Sequence, residues 1–177
     1  MPTNTETKVF TSLARRTKAS NAKFASATKA EKRVMIAKDV IKAIDVLQIK
    51  PTHGSYLATS PFYSKALGSP EGSFQDLLPE IPACTVCAKG AIFVCTVARQ
   101  NQVTNDEAIS HQFTDDRLSE DLGGVFSASQ LGKIESAFET WDCDRYVWGN
   151  TASERMRNIM KNIVKNKGTF IPKQRDL

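Results

Sequence analysis

The stretch CTVCAKGAIFVC places Cys84, Cys87 and Cys95 within twelve residues and holds three of the chain's four cysteines. Thiols at this spacing can do three different things. Cys-x-x-Cys is half of a common zinc site, and Cys143 and His53, or His111, are available to complete one around Cys84 and Cys87. A cysteine at a helix N-terminus gains thiolate character, the basis of thiol–disulfide exchange. A buried, reduced cysteine is a small apolar residue and nothing more.

Spacing discriminates among these. On a continuous helix Cys95 lies about 12 Å along the axis from Cys87, whereas sulfurs sharing one zinc at about 2.3 Å each stay under about 5 Å apart. No second Cys-x-x-Cys and no His-x-x-x-His is present. A thioredoxin-like centre needs a strand ahead of the helix in a βαβ unit, and no such strand is read here. Taken as one helix over about 83–100, the segment aligns Cys84, Cys87 with Ala88, Ala91, Cys95 and Ala98 on one face, all small. Val86, Ile92, Phe93, Val94 and Val97 fill the neighbouring faces. A helix apolar nearly all round is a buried one, and a stripe of small residues lets another helix approach closely. The packed helix is the favoured reading, with no cofactor; zinc on Cys84, Cys87, Cys143 and His53 is the alternative.

Other constellations are weaker. TDDRLSED collects Asp115, Asp116, Glu120 and Asp121, as metal-dependent nucleases do, but the same acids suit the exposed face of a short helix. Asp142 and Asp144 occupy positions one and three of an EF-hand-like loop; Tyr146, Val147 and Ser153 then stand where that loop needs a ligand, a glycine and a bidentate glutamate. Trp141, Tyr146 and Trp148 group closely and are a candidate interaction surface, or core. Arg157, Lys161 and Lys165 form one helical stripe, beside a second of Asn158, Asn162 and Asn166. Such side chains contact phosphates and base edges, so these three basic residues, with Arg15, Arg16 and Lys18 near the N-terminus, are the candidate nucleic-acid contacts. Lysines late in a helix also complement its dipole. Gly-rich phosphate loops, G-x-S-x-G and H-E-x-x-H are absent, and no catalytic residue is assigned.

The elements that must position these residues read as helices. Thr28 with Glu31, Thr104 with Glu107, Ser127 with Gln130 and Thr151 with Glu154 have capping-box spacing. Behind them, apolar residues recur at helical intervals: Val34, Ala37, Ile41, Ile44 and Leu47; Leu131, Ile134, Phe138 and Trp141; Met156, Ile159, Met160, Ile163 and Val164. Pro51 and Gly54 are expected to end the first of these helices, and Gly168 the last. Residues 52–73, rich in Gly, Pro and Ser, read as loop. The expected fold is mostly α: a compact single-domain helical bundle over 28–171, with a buried central helix, a disordered basic tail over 1–27 and a short tail over 172–177.

Charge is unevenly spread. Residues 1–33 carry net +6, residues 34–151 net −6 and residues 152–177 net +5. Basic ends around an acidic body suit nucleic acid, an acidic partner or a second copy of the chain. The N-terminus lacks a continuous apolar stretch, and no run reaches the roughly 20 apolar residues of a membrane span. Residues 1–30 have some transit-peptide character, but Glu6 and only two arginines argue against it. A reducing cytoplasm is the expected location.

RVMIAKDVIKAI, CTVCAKGAIF and RMRNIMKNIVKNKGTF together resemble a loose group of small helical proteins of bacteria and their phages, over about residues 32–171. The resemblance implies an origin and a helical fold, and carries over no catalytic residue. The expected function is a non-catalytic, macromolecule-binding accessory protein, phage- or mobile-element-encoded, acting on a host protein. Nucleic-acid binding through the basic tail and the last helix is the second reading, and a zinc or metal-dependent enzyme the third.

Overall fold

The computed structural model describes residues 18–54, 56–58, 83–99, 115–139 and 148–172. Within them are six helices: α1 (Lys18–Ser26), α2 (Lys29–Asp45), α3 (Ala88–Val97), α4 (Asp115–Asp121), α5 (Ala128–Glu139) and α6 (Ala152–Lys165). Three short strands accompany them: β1 (Ile49–Pro51), β2 (Leu57–Ala58) and β3 (Cys84–Val86). The body is mostly helical, as the sequence leads one to expect. No described helix is long and apolar enough to cross a membrane.

Local signals start the helices where they were read. Thr28 and Glu31 close a reciprocal capping box at α2, and Thr151 and Glu154 close another at α6. Ser127 and Gln130 exchange the same pair of hydrogen bonds ahead of α5. The pair Thr104 and Glu107 lies outside the described residues. Packing then takes over. α2 and α6 lie antiparallel: Arg157 near the start of α6 pairs with Asp45 at the end of α2, while Gly168 beyond α6 packs against Ala30 at the start of α2.

Three expectations need correction. The cysteine segment is not one helix. Cys84–Val86 form β3, Cys87 is the N-cap, and the helix runs only from Ala88 to Val97. β3 is the middle strand of the sheet, parallel to β1 and antiparallel to β2. β-Branched Thr85 and Val86 suit a strand, and a short apolar run does not by itself separate strand from buried helix. Second, α1 stands inside the stretch read as a tail, and its Phe24 is buried in the core. Third, α2 ends at Asp45, well before Pro51, and the chain enters β1 through a turn.

The buried central helix itself is present. Every residue of α3 except Lys89 is buried, between α2, α5 and the sheet. Gly90 has a specific reason to be glycine: a Cβ there would overlap the carbonyl oxygen of Tyr56 and stand 2.9 Å from its carbonyl carbon. At Gly90, on a different face from the small-residue stripe, it is the backbone just ahead of β2 that comes close to α3.

Candidate functional site

The thiols come first. Cys84 projects from β3 into the core, 3% exposed, with Sγ donating weakly to the carbonyl of Gln48 at 3.8 Å. Burial pushes its pKa up to about 12. Cys87 is also buried. Burial pushes its pKa up, the N–H groups of Gly90 and Lys89 pull it down by less, and the charges of Glu135 and Glu139 raise it further. Cys95 is buried in mid-helix. The strand that a redox centre would need is present after all, and Cys87 does cap a helix. Burial disfavours the thiolate at Cys84 and Cys87.

Around the first turn of α3 the charged side chains tie elements together. Lys89 pairs with Asp115 of α4 at 2.5 Å and with Glu135 of α5. Burial works against its charge, but the two carboxylates outweigh it and its pKa is raised. Burial also raises the carboxyl pKa of Asp121, against the pull of Arg117. Asp116 and Glu120 face solvent. The acidic run therefore divides between an ion-pair staple and an exposed face. His53 stacks on Phe138 with ring centroids 4.8 Å apart, and its Nδ1 lies 3.5 Å from Glu139. The same carboxylate accepts the Gly54 N–H. Among the described residues, no three His, Cys, Asp or Glu side chains gather as a metal ion would require. Cys143 and His111 lie outside them.

Trp148, read as interaction surface or core, is a core residue: it is 4% exposed and packs against Phe170 at 5.3 Å. Trp141 and Tyr146 lie outside the described residues, as do Arg15 and Arg16. Lys18 opens α1.

The α6 stripes separate into two roles. The asparagines hold the chain on both sides of the helix. Asn158 donates to the carbonyl of Trp148 at 2.8 Å; Asn162 both donates to and accepts from the backbone of Ile171, at 3.0 and 2.9 Å; Asn166 donates to Asn162. Arg157 is half-buried and paired with Asp45 at 2.9 Å. Lys161 and Lys165 are exposed.

One feature that the sequence did not signal is the turn after α2. Leu47 donates to the Ile44 carbonyl and Gln48 to that of Ala43, at 3.1 and 2.9 Å. These two bonds make a Schellman motif, whose C′ residue sits in the left-handed region and is usually glycine. After α4 the equivalent position is Gly123, at φ +63°; after α6 it is the exposed Lys167, at φ +50°, with Gly168, expected to be that stop, one residue later. Here it is Leu47, at φ +59°, with its side chain 81% exposed. The preceding Val46 is 40% exposed. The following Gln48 is 2% exposed, and neither end of its amide has a hydrogen-bond partner. Three adjacent residues thus depart from what a stable fold prefers.

No protein-family model matches the chain, and neither the curated proteins nor the solved structures contain a match to it.

Proposed function

We propose that this chain is a non-catalytic accessory protein that acts by docking onto another protein, a host protein, through the turn at Val46 and Leu47. The observation that carries the reading is Leu47: a large apolar side chain held out in solvent by a backbone conformation that disfavours it. A left-handed non-glycine residue costs on the order of 1–2 kcal/mol, and an unpaired buried amide costs more. Departures of this kind concentrate at functional sites. An exposed apolar anchor with a polar rim is also how binding energy concentrates in protein interfaces. Lys50, three residues on, is exposed, and Arg157 is tied to Asp45 two residues back.

The test separates folding from binding. Leu47→Gly relieves the strain, and is expected to stabilise the fold by about 0.5–1 kcal/mol after the entropic cost of glycine, a rise in Tm of about 2 °C. The same substitution, and Leu47→Asp, should weaken capture of a protein partner from nuclease-treated lysate of the native host by about 30-fold, as loss of a hot spot does. Leu47→Met, which keeps the apolar volume, should retain most of it. Capture by the glycine and aspartate variants equal to that by wild type contradicts the reading.

A further inference from the structure

The solvent side of the α2–α6 pair carries a second, chemically different surface. Lys38 and Lys42 lie one turn apart on α2, and Lys161 and Lys165 lie one turn apart on α6; all four are exposed. Helix geometry puts them on the same side. On α2, Ala30 and Asp45 mark the flank facing α6, and Ile36, Ala37, Val40, Ala43 and Ile44 mark the core. At about 100° per residue, Lys38 and Lys42 then point outward, past that flank. On α6, Arg157 and half-buried Val164 mark the flank facing α2, and Lys161 and Lys165 follow it outward. The result is a two-by-two array of ammonium groups, about 6 Å apart along each helix, on axes about 8–10 Å apart.

The acids on this face are already engaged. Glu31 and Glu154 are the capping-box carboxylates of the two helices, and Asp45 is paired with Arg157. Among the described residues, none of the four lysines forms an ion pair. The array has no exposed apolar centre, and lysine is depleted from the desolvated centres of protein interfaces. Solvated lysines in a row are instead what a phosphodiester backbone takes, with release of its counterions. A duplex presents about one charge per 1.7 Å of axis, so a 6 Å step faces three or four phosphates.

We infer that the exposed lysine face of α2 and α6 binds the phosphate backbone of nucleic acid without reading its sequence. The second half of that statement comes from the asparagines: Asn158, Asn162 and Asn166 hydrogen-bond the protein's own backbone or each other, so the side chains best suited to base edges are occupied. This surface is independent of Leu47, and the two readings stand or fall separately.

Fluorescence anisotropy with a labelled DNA duplex of mixed sequence, titrated with the full chain between about 50 and 200 mM salt, tests it. Binding should weaken steeply with salt. Lys38→Ala with Lys42→Ala, and separately Lys161→Ala with Lys165→Ala, should each make the slope of log affinity against log salt shallower by about 2 and lower the affinity about tenfold. Lys133→Ala, an exposed lysine on α5, should leave the slope unchanged. A second duplex of equal length and unrelated sequence should bind within about twofold of the first, for lack of base contacts. The inference fails if neither duplex binds at the lowest salt, if both lysine pairs can be removed with the slope intact, or if one duplex is strongly preferred. It also fails if polyglutamate of equal charge competes as well as DNA, since the face would then be a surface for acidic protein.

Discussion

Gly90→Ala is expected to remove most of the folded population at physiological temperature. The added methyl group would enter the space of the Tyr56 carbonyl, which is backbone, not a side chain that can turn away. Relief requires parting α3 from the segment at Tyr56, whose ring lies 6.1 Å from that of Phe93. Overpacking of this kind costs roughly 3 kcal/mol or more, a large part of the stability of a typical domain. A fall in Tm of about 10 °C, or insoluble expression, is the expected result. Gly132→Ala provides the contrast. Gly132 is also helical, but its Cβ would meet only the flexible carboxylate of Asp115, at 2.9 Å. There the helix propensity of alanine offsets the crowding, and the change should stay within about 1 kcal/mol. Equal effects of the two substitutions would mean that α3 does not press on Tyr56 as described.

The second large effect concerns Asp39 and Arg99. Asp39 is 6% exposed on the inner face of α2. Arg99, just past α3, grips it with two guanidinium N–H groups, Nε and Nη2, the latter at 2.9 Å. The guanidinium also lies over the Phe24 ring, 5.3 Å from its centroid, and reaches the Met35 sulfur at 3.7 Å. One ion pair therefore binds α1, α2 and the end of α3 together. Breaking a buried pair from one side leaves the other charge stranded, at about 3–5 kcal/mol, whereas replacing both partners by apolar residues is often nearly neutral. Arg99→Met and Asp39→Leu should each be strongly destabilising in urea denaturation. The double replacement should recover most of the loss, giving a coupling of more than about 2 kcal/mol. Additive losses would show that the pair does not act as a unit.

Legibility differed by the kind of signal involved. Hydroxyl–carboxylate spacing at Thr28 and Thr151 located helix starts because both bonds of a capping box lie within four residues. The apolar faces of α5 and α6 were legible for a similar reason: Leu131, Ile134 and Phe138, and Met156, Ile159, Met160 and Ile163, are all buried. The face read on α2 overlaps the true one without matching it. Ala37 and Ile44 are buried as read, and Ile36, Val40 and Ala43 join them in the core, whereas Val34 and Ile41 are only half-buried. Leu47 fitted the helical spacing yet lies beyond the helix, because only tertiary pairing of β1 with β3 fixes where α2 stops. The same long-range pairing made Cys84 part of a strand. Nothing local announces that Asp39 and Arg99, sixty residues apart, will meet. The array of Lys38 and Lys42 with Lys161 and Lys165 was half legible: each pair sits at i, i+4 in the sequence, but their adjacency needs the antiparallel packing of α2 and α6.

Whether the residues that look chemical are used for packing is decided most directly at the three thiols. Native protein treated with iodoacetamide at about pH 8, where an ordinary thiol is partly ionised, can be mapped peptide by peptide. Cys84, Cys87 and Cys95 should remain unmodified in the native state and react fully once the chain is unfolded. Rapid modification of Cys84 or Cys87 in the folded protein, or recovery of the two joined as a disulfide, would place chemistry in that segment and contradict its role as core.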